Sequence, residues 1–109
     1  MNPIPLAATP NQSLTFNVDG AFWQLHVYQA INQMYMDITR NNVPVISGIR
    51  CLGGVGLMPY KYMYAPTYGN FIFDSDADFN LFGSACNLYY LNAAEYQSYK
   101  QMLKAGYQA

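Results

Sequence analysis

Charged side chains are scarce in this sequence. Asp, Glu, Lys and Arg make up 10% of its 109 residues, whereas a soluble globular domain typically carries about 25%. The five Lys and Arg residues are scattered along the chain, and the net charge is −1. Because a phosphate backbone is bound by clustered positive charge, we expect no nucleic acid among the partners of this protein.

Long apolar runs and a secretion signal are also missing. No stretch approaches the roughly 18 consecutive apolar residues of a membrane-spanning helix, so we expect no membrane insertion. Residues 1–6 lack both the basic and the apolar region of a signal peptide. We therefore expect synthesis in a cytoplasm.

Histidine and cysteine, which supply many catalytic and metal sites, are rare. His26 is the single histidine and has no nucleophile motif beside it, so we expect no catalytic residues and no enzyme activity. Cys51 and Cys86 have no second Cys or His nearby, and we expect neither a metal site nor a cofactor. The spacing leaves open whether the two cysteines pair.

Asp74, Asp76 and Asp78 form the one concentrated acidic feature. Their spacing matches the start of an EF-hand loop, but Phe79 stands where that loop needs Gly and Ala85 where it needs Glu. We interpret the Asp74–Asp78 loop as an acidic turn whose carboxylates accept local hydrogen bonds. A Ca²⁺ site that supports assembly stays open as an alternative.

Aromatic residues are abundant. They make up 17% of the chain, with eleven Tyr, and six Met accompany them. Tyr, Phe, Trp and Met are enriched in the cores of protein interfaces, where Lys, Glu and Asp are depleted. The composition therefore fits a subunit buried in a larger assembly, or a small β domain with an aromatic core.

Alternating apolar and polar residues predict a β domain over residues 14–92. Asp19-Gly20 lies between two such runs and predicts a hairpin, and Arg40-Asn41-Asn42 predicts another. Pro44 favours an edge position for the strand that follows. The residues expected to form the core are Leu14, Phe16, Val18, Trp23, Leu25, Val27, Met36, Ile38, Leu88 and Tyr90.

The two termini differ from this pattern. Residues 1–13 contain three prolines and predict an extended N-terminal arm. Residues 93–109 predict a C-terminal helix and tail, with Asn92 as N-cap and Glu95 completing a capping box. We expect both segments to contact neighbouring proteins. The candidate interface residues are Pro3, Pro5, Pro10, Gln12, Tyr60, Tyr62, Tyr64, Tyr96, Tyr99 and Leu103.

The fold class expected from these patterns is all-β. We predict a small antiparallel β barrel or sandwich of six to eight strands, with an extended N-terminal arm and a short C-terminal helix.

Several short motifs, taken in order, resemble one known family. They are Pro10-Asn11-Gln12, Leu14-Thr15-Phe16, Asp19-Gly20, Met36-Asp37-Ile38, Gly48-Ile49-Arg50, Gly56-Leu57, Tyr60-Lys61-Tyr62 and Leu88-Tyr89-Tyr90-Leu91. Their order and spacing over roughly residues 4–92 resemble the phage baseplate plug family of contractile-tailed phages. The chain departs from that family's pattern in the tyrosine-rich segment 58–73 and in the Asp74–Asp78 loop.

The resemblance implies a structural protein of the virion tail baseplate, made in the bacterial host cytoplasm. It implies contacts with hub, tube and wedge proteins, multiple copies in a symmetric assembly, and no catalytic residues.

Three other functions stay open from the residues. A carbohydrate-binding β module at the tail tip would use Tyr60, Tyr62, Tyr64 and Trp23 as an aromatic platform. A small hydrolase would need His26. Another kind of tail adaptor protein would use the same contact-prone surface.

Overall fold

The computed structural model describes residues 2–60, 63 and 68–104, and at the C-terminus it describes side chains only up to Met102. Seven strands form two antiparallel sheets, and one helix follows them. The strands are β1 (Asn2–Ile4), β2 (Asn11–Val18), β3 (Ala21–Ala30), β4 (Gln33–Arg40), β5 (Val43–Arg50), β6 (Asn70–Phe73) and β7 (Leu88–Leu91), and the helix is α1 (Ala93–Lys104).

The larger sheet is a meander of four strands in the order β2-β3-β4-β5. Its three connections are tight turns at Asp19-Gly20, Ile31-Asn32 and Asn41-Asn42, and every one of these residues has a positive φ. Positive φ at both central residues is the geometry of the type I′ turn, whose twist matches that of the flanking strands. The sequence predicted the first and third turns, while the second contains an isoleucine that no turn rule favours.

The smaller sheet has the order β1-β7-β6 and packs over the larger one. Because the two sheets stay separate, the fold is a sandwich and not a closed barrel. The predicted all-β class, strand number and C-terminal helix are confirmed.

Trp23, Phe71 and Tyr90 form the centre of the core between the sheets. The ring of Trp23 lies 5.0 Å from that of Phe71 and 5.6 Å from that of Tyr90, measured between centroids. The predicted core residues Trp23, Leu25, Val27, Met36, Ile38, Leu88 and Tyr90 are all buried. Leu14, Phe16 and Val18 pack against this core but are only partly buried, because β2 lies at the edge of its sheet.

The N-terminal segment, predicted as an extended arm over residues 1–13, contributes to both sheets of the sandwich. β1 pairs with β7, and Ile4 is buried in the core. β2 already begins at Asn11, so the predicted boundary at residue 13 falls inside a strand. The side-chain amide of Gln12, a predicted interface residue, bonds both backbone groups of Ala7 at 2.9 and 2.7 Å.

The helix begins where the capping box predicted. The backbone N–H of Asn92 donates to Glu95 Oε1 and that of Glu95 donates to Asn92 Oδ1, both at 2.9 Å. This reciprocal pair satisfies two amide groups that would otherwise lack partners at the helix start.

Candidate protein-interaction surface

The tip of the β3–β4 hairpin carries the most exposed large apolar side chain among those described. Ile31 is 91% exposed and has a φ of 50°. A β-branched residue in this left-handed region is a conformational outlier, because Cβ crowds the following carbonyl oxygen. The packing of this chain does not explain why isoleucine stands here, and such outliers often lie at functional sites.

A second apolar side chain lies near the same end of the sandwich. Leu52 is 38% exposed and lines, with Asn32, a shallow cavity of about 130 Å³ that also touches Asp76 and Ala77. We call Ile31, Asn32 and Leu52 the hairpin-end patch. It combines exposed apolar area with a tight two-residue turn.

The outer face of the larger sheet carries a row of stacked rings. The centroid of His26 lies 4.8 Å from that of Tyr28, which lies 6.0 Å from that of Tyr35. Asp37 anchors the row, since Oδ2 lies 3.4 Å from His26 Nδ1 and Oδ1 accepts a bond of 2.7 Å from the N–H of Gly48. Burial and the nearby Asp37 carboxylate raise the pKa of Tyr28.

Ser13, His26 and Asp37 lie opposite one another on three adjacent strands of this face. These are the residue types of a hydrolytic triad, but His26 Nε2 lies 3.0 Å from the side-chain oxygen of Asn11, and no bond to Ser13 is formed. A triad requires the second ring nitrogen to accept the proton of the nucleophile. The observed geometry therefore does not activate Ser13.

Trp23 cannot form part of a sugar platform. Its side chain is 0% exposed, and its Nε1 donates to the carbonyl of Val18 at 3.0 Å. Tyr60 is 60% exposed, while Tyr62 and Tyr64 lie outside the described residues. The predicted aromatic platform therefore lacks Trp23, its largest ring.

Two tyrosines of α1, both predicted as interface residues, contact the sandwich itself. Tyr96 is buried in the core, and the Tyr99 hydroxyl donates to the carbonyl of Gly54. The apolar stripe that predicted an outside partner instead covers the smaller sheet, because an amphipathic helix buries its apolar face against the nearest sheet. The side chain of Leu103 lies outside the described residues.

The three carboxylates of the Asp74–Asp78 loop all accept hydrogen bonds, but the donors Asn87 and Gly53 are distant in the sequence, whereas the bond from Asn80 to Asp78 is local as predicted. Asp74 accepts from the backbone and side chain of Asn87, Asp76 from the N–H of Gly53, and Asp78 from the N–H of Asn80. Burial alone would raise the pKa of Asp74, but hydrogen bonds from Asn87 and Ser75 bring it below its usual value. No group of three metal-ligating side chains occurs in the described part of the chain.

A family model described as the cyanophage baseplate Pam3 plug gp18 matches residues 1–93. The chain belongs to this family. The match confirms the resemblance seen in the sequence motifs, and it spans both sheets, ending at Ala93, where α1 begins. No curated protein matches the chain.

Within this baseplate plug fold, the hairpin-end patch is the feature that sequence reasoning missed. β3 and β4 leave only Ile31 and Asn32 between them, a gap that is defined by the strand bounds of the structure. A two-residue hairpin loop has positive φ at both positions in a type I′ turn and at the first position in a type II′ turn.

The two cysteines of the plug protein are free thiols in the core. Burial raises the pKa of the Cys51 thiol from 9.0 to about 12, and Cys86 adds to this effect. Thiols of this kind are inert, since reactivity requires the thiolate. None of the helices in the described ranges has the length and hydropathy of a membrane span.

Proposed function

We propose that this protein is a structural subunit of a contractile-tail baseplate, where it packs between the central hub or tube and the surrounding wedge proteins. The family match over residues 1–93 carries the proposal. Its other baseplate partners, its presence in several symmetry-related copies and its synthesis in the host cytoplasm are part of the same proposal.

The proposed role is structural and not enzymatic. The one histidine is bound to Asn11 and Asp37 on an open sheet face. The side chains of His26 and Asp37 are 41% and 36% exposed, so water reaches both. Catalytic electrostatics depend on a site that excludes water, and this row of residues provides none.

Contacts with neighbouring baseplate proteins are proposed for two regions. The first is the hairpin-end patch, where a turn held in an unfavourable conformation presents Ile31 to the outside. The second comprises exposed residues of the predicted interface set, namely Pro3, Pro5, Pro10 and Tyr60. Prolines and a rigid turn lose little conformational entropy on binding, which favours affinity.

Site-specific photo-crosslinking in the assembled virion tests this proposal. A photoreactive phenylalanine derivative would replace Ile31, and a control protein would carry it at Ser47, an exposed position in β5. Illumination of purified virions should link position 31 to a hub, tube or wedge protein much more efficiently than position 47. Virions that contain the subunit but give no crosslink from position 31 to any baseplate protein would contradict the proposed contact.

A further inference from the structure

Sheet edges expose unpaired backbone groups, and proteins usually protect them with proline, charge, irregular register or short length. β5 carries Pro44 and shifts register against β4 near Ile38. β1 has three residues and includes Pro3. The outer side of β6 is covered by the loop that follows β5. The N–H groups of Gly54 and Leu57 in this loop donate to the carbonyl oxygens of Phe73 and Phe71.

β2 lacks every one of these protections. It has eight residues, no proline and no charged side chain. All eight pair with β3 in continuous register, so no bulge twists the strand away. No other strand of the described residues pairs with its outer side.

The outward backbone groups of β2 belong to Asn11, Ser13, Thr15 and Asn17, and the Thr9 hydroxyl donates to the carbonyl of Asn11 at 3.3 Å. Val18 and Ala21 close a two-residue turn and form a hydrogen-bonded pair, and such pairs alternate along an antiparallel ladder. Phe16 and Leu14 therefore bond to β3, while the N–H and C=O groups of the residues between them point away from it. All four outward residues are exposed.

An apolar groove accompanies this edge. Leu14, Phe16 and Val18 are partly buried and face the prolines of the N-terminal segment, Pro3 and Pro5, across a cavity of about 430 Å³. The groove is the open side of the sandwich between β2 and β1. A strand added to β2 would place its alternate side chains here, because successive side chains point to opposite faces of a sheet.

We propose that β2 pairs with β2 of a second copy of this chain, antiparallel about a two-fold axis at Thr15, and joins two four-stranded sheets into one. The residues on the two sides of Thr15 match in polarity. Apolar Leu14 and Phe16 flank it directly, and polar Ser13 and Asn17 lie one position further out.

In this register, like side chains meet on both faces of the joined sheet, and the outward backbone groups find hydrogen-bond partners. On one face Leu14 of each copy meets Phe16 of the other, and on the opposite face Thr15 meets Thr15 while Ser13 meets Asn17. Ser13, Thr15 and Asn17 of each copy pair with Asn17, Thr15 and Ser13 of the other and form about six hydrogen bonds, two for each pair. At a two-fold axis, a charged residue lies close to the same residue of the second copy, and the two like charges repel each other. β2 contains no charged side chain, so no such repulsion arises between the paired strands.

Complementary charges at the axis test the pairing. Sedimentation equilibrium of the intact 12.3 kDa protein should show a monomer–dimer equilibrium. Thr15→Lys and Thr15→Glu should each weaken the dimer roughly tenfold or more, because two like charges would face each other. An equimolar mixture of the two variants should restore the dimer. Thr15 is exposed on the polar face, so neither change disturbs the core.

Ser47→Lys on the opposite edge strand provides the matched control and should dimerise like the unmodified protein. Hydrogen exchange should also show the amides of Ser13, Thr15 and Asn17 protected at high protein concentration and unprotected on dilution. A protein that stays monomeric at high concentration, or a dimer that both Thr15 variants leave unchanged, would overturn the proposal. Failure of the mixture to dimerise would overturn the two-fold register at Thr15. These results are independent of where the subunit lies in the baseplate.

Discussion

Replacing Ile31 by asparagine should stabilise the isolated protein. The backbone there has a φ of 50°, and a left-handed conformation costs an ordinary L-residue about 1–2 kcal/mol. Asparagine tolerates this region and occupies the equivalent position, Asn41, in the β4–β5 turn. Because Ile31 is 91% exposed, its removal forfeits almost no buried apolar area.

The expected gain is about 1 kcal/mol after a small allowance for lost local contacts. With an unfolding entropy of about 2.1 cal/mol/K per residue, a chain of 109 residues has about 0.23 kcal/mol/K, so Tm should rise by about 4 °C. Thermal unfolding followed by circular dichroism measures this directly.

Val43→Asn is the matched control for this experiment. Val43 is also exposed, at 63%, but it lies in β5 and not among the residues with positive φ. The same chemical change should leave Tm unchanged or lower it, because asparagine is unfavourable in strands. An unchanged or lower Tm for Ile31→Asn would refute the strain at this turn.

Three further predictions concern the core and the helix. Since the thiol of Cys51 ionises near pH 9.0 when unfolded and near 12 when folded, stability should fall as pH rises from 9 to 12 by up to about 1.4 kcal/mol per pH unit. Urea midpoints measured above pH 9 should decline less steeply in Cys51→Ala, and equal slopes would contradict the raised pKa. Asn70→Ala should cost about 2–5 kcal/mol, because the fully buried amide bonds both backbone groups of Met58 and the N–H of Phe71. Chemical denaturation measures this loss against the exposed control Asn80→Ala, and a loss below about 1 kcal/mol would show that the network is dispensable. Asn92→Ala should lower stability by about 1 kcal/mol through the lost N-cap, and Glu95→Ala should add little in the double variant because the two side chains act as one box. Fully additive losses in the double variant would argue against that coupling.

The larger sheet could be predicted closely because its signals are local. Alternation, Asp19-Gly20 and the asparagines at 41 and 42 determine the hairpins within short stretches of chain. The Ile31-Asn32 turn was missed because isoleucine is not a turn residue.

The surface available to partners was harder to predict than the larger sheet, because it depends on packing between residues far apart in the sequence. Tyr96 and Tyr99 lie on a helical stripe that fits an outside partner as well as this chain's own sandwich, and the contacts of both with the sandwich are visible only in the folded structure. The N-terminal prolines likewise fit a free arm and an edge strand equally. The open edge of β2 is also invisible in sequence, because strand order decides which strand is outermost.

The location of the subunit in the virion tests the central claim most directly. A cryo-electron microscopy reconstruction of the tail of the phage that carries this protein should resolve the two-sheet sandwich in the baseplate, between the hub or tube and the wedges. Its β3–β4 hairpin should contact one of those proteins through Ile31. A complete reconstruction of the baseplate with no density for this fold would contradict the proposed function.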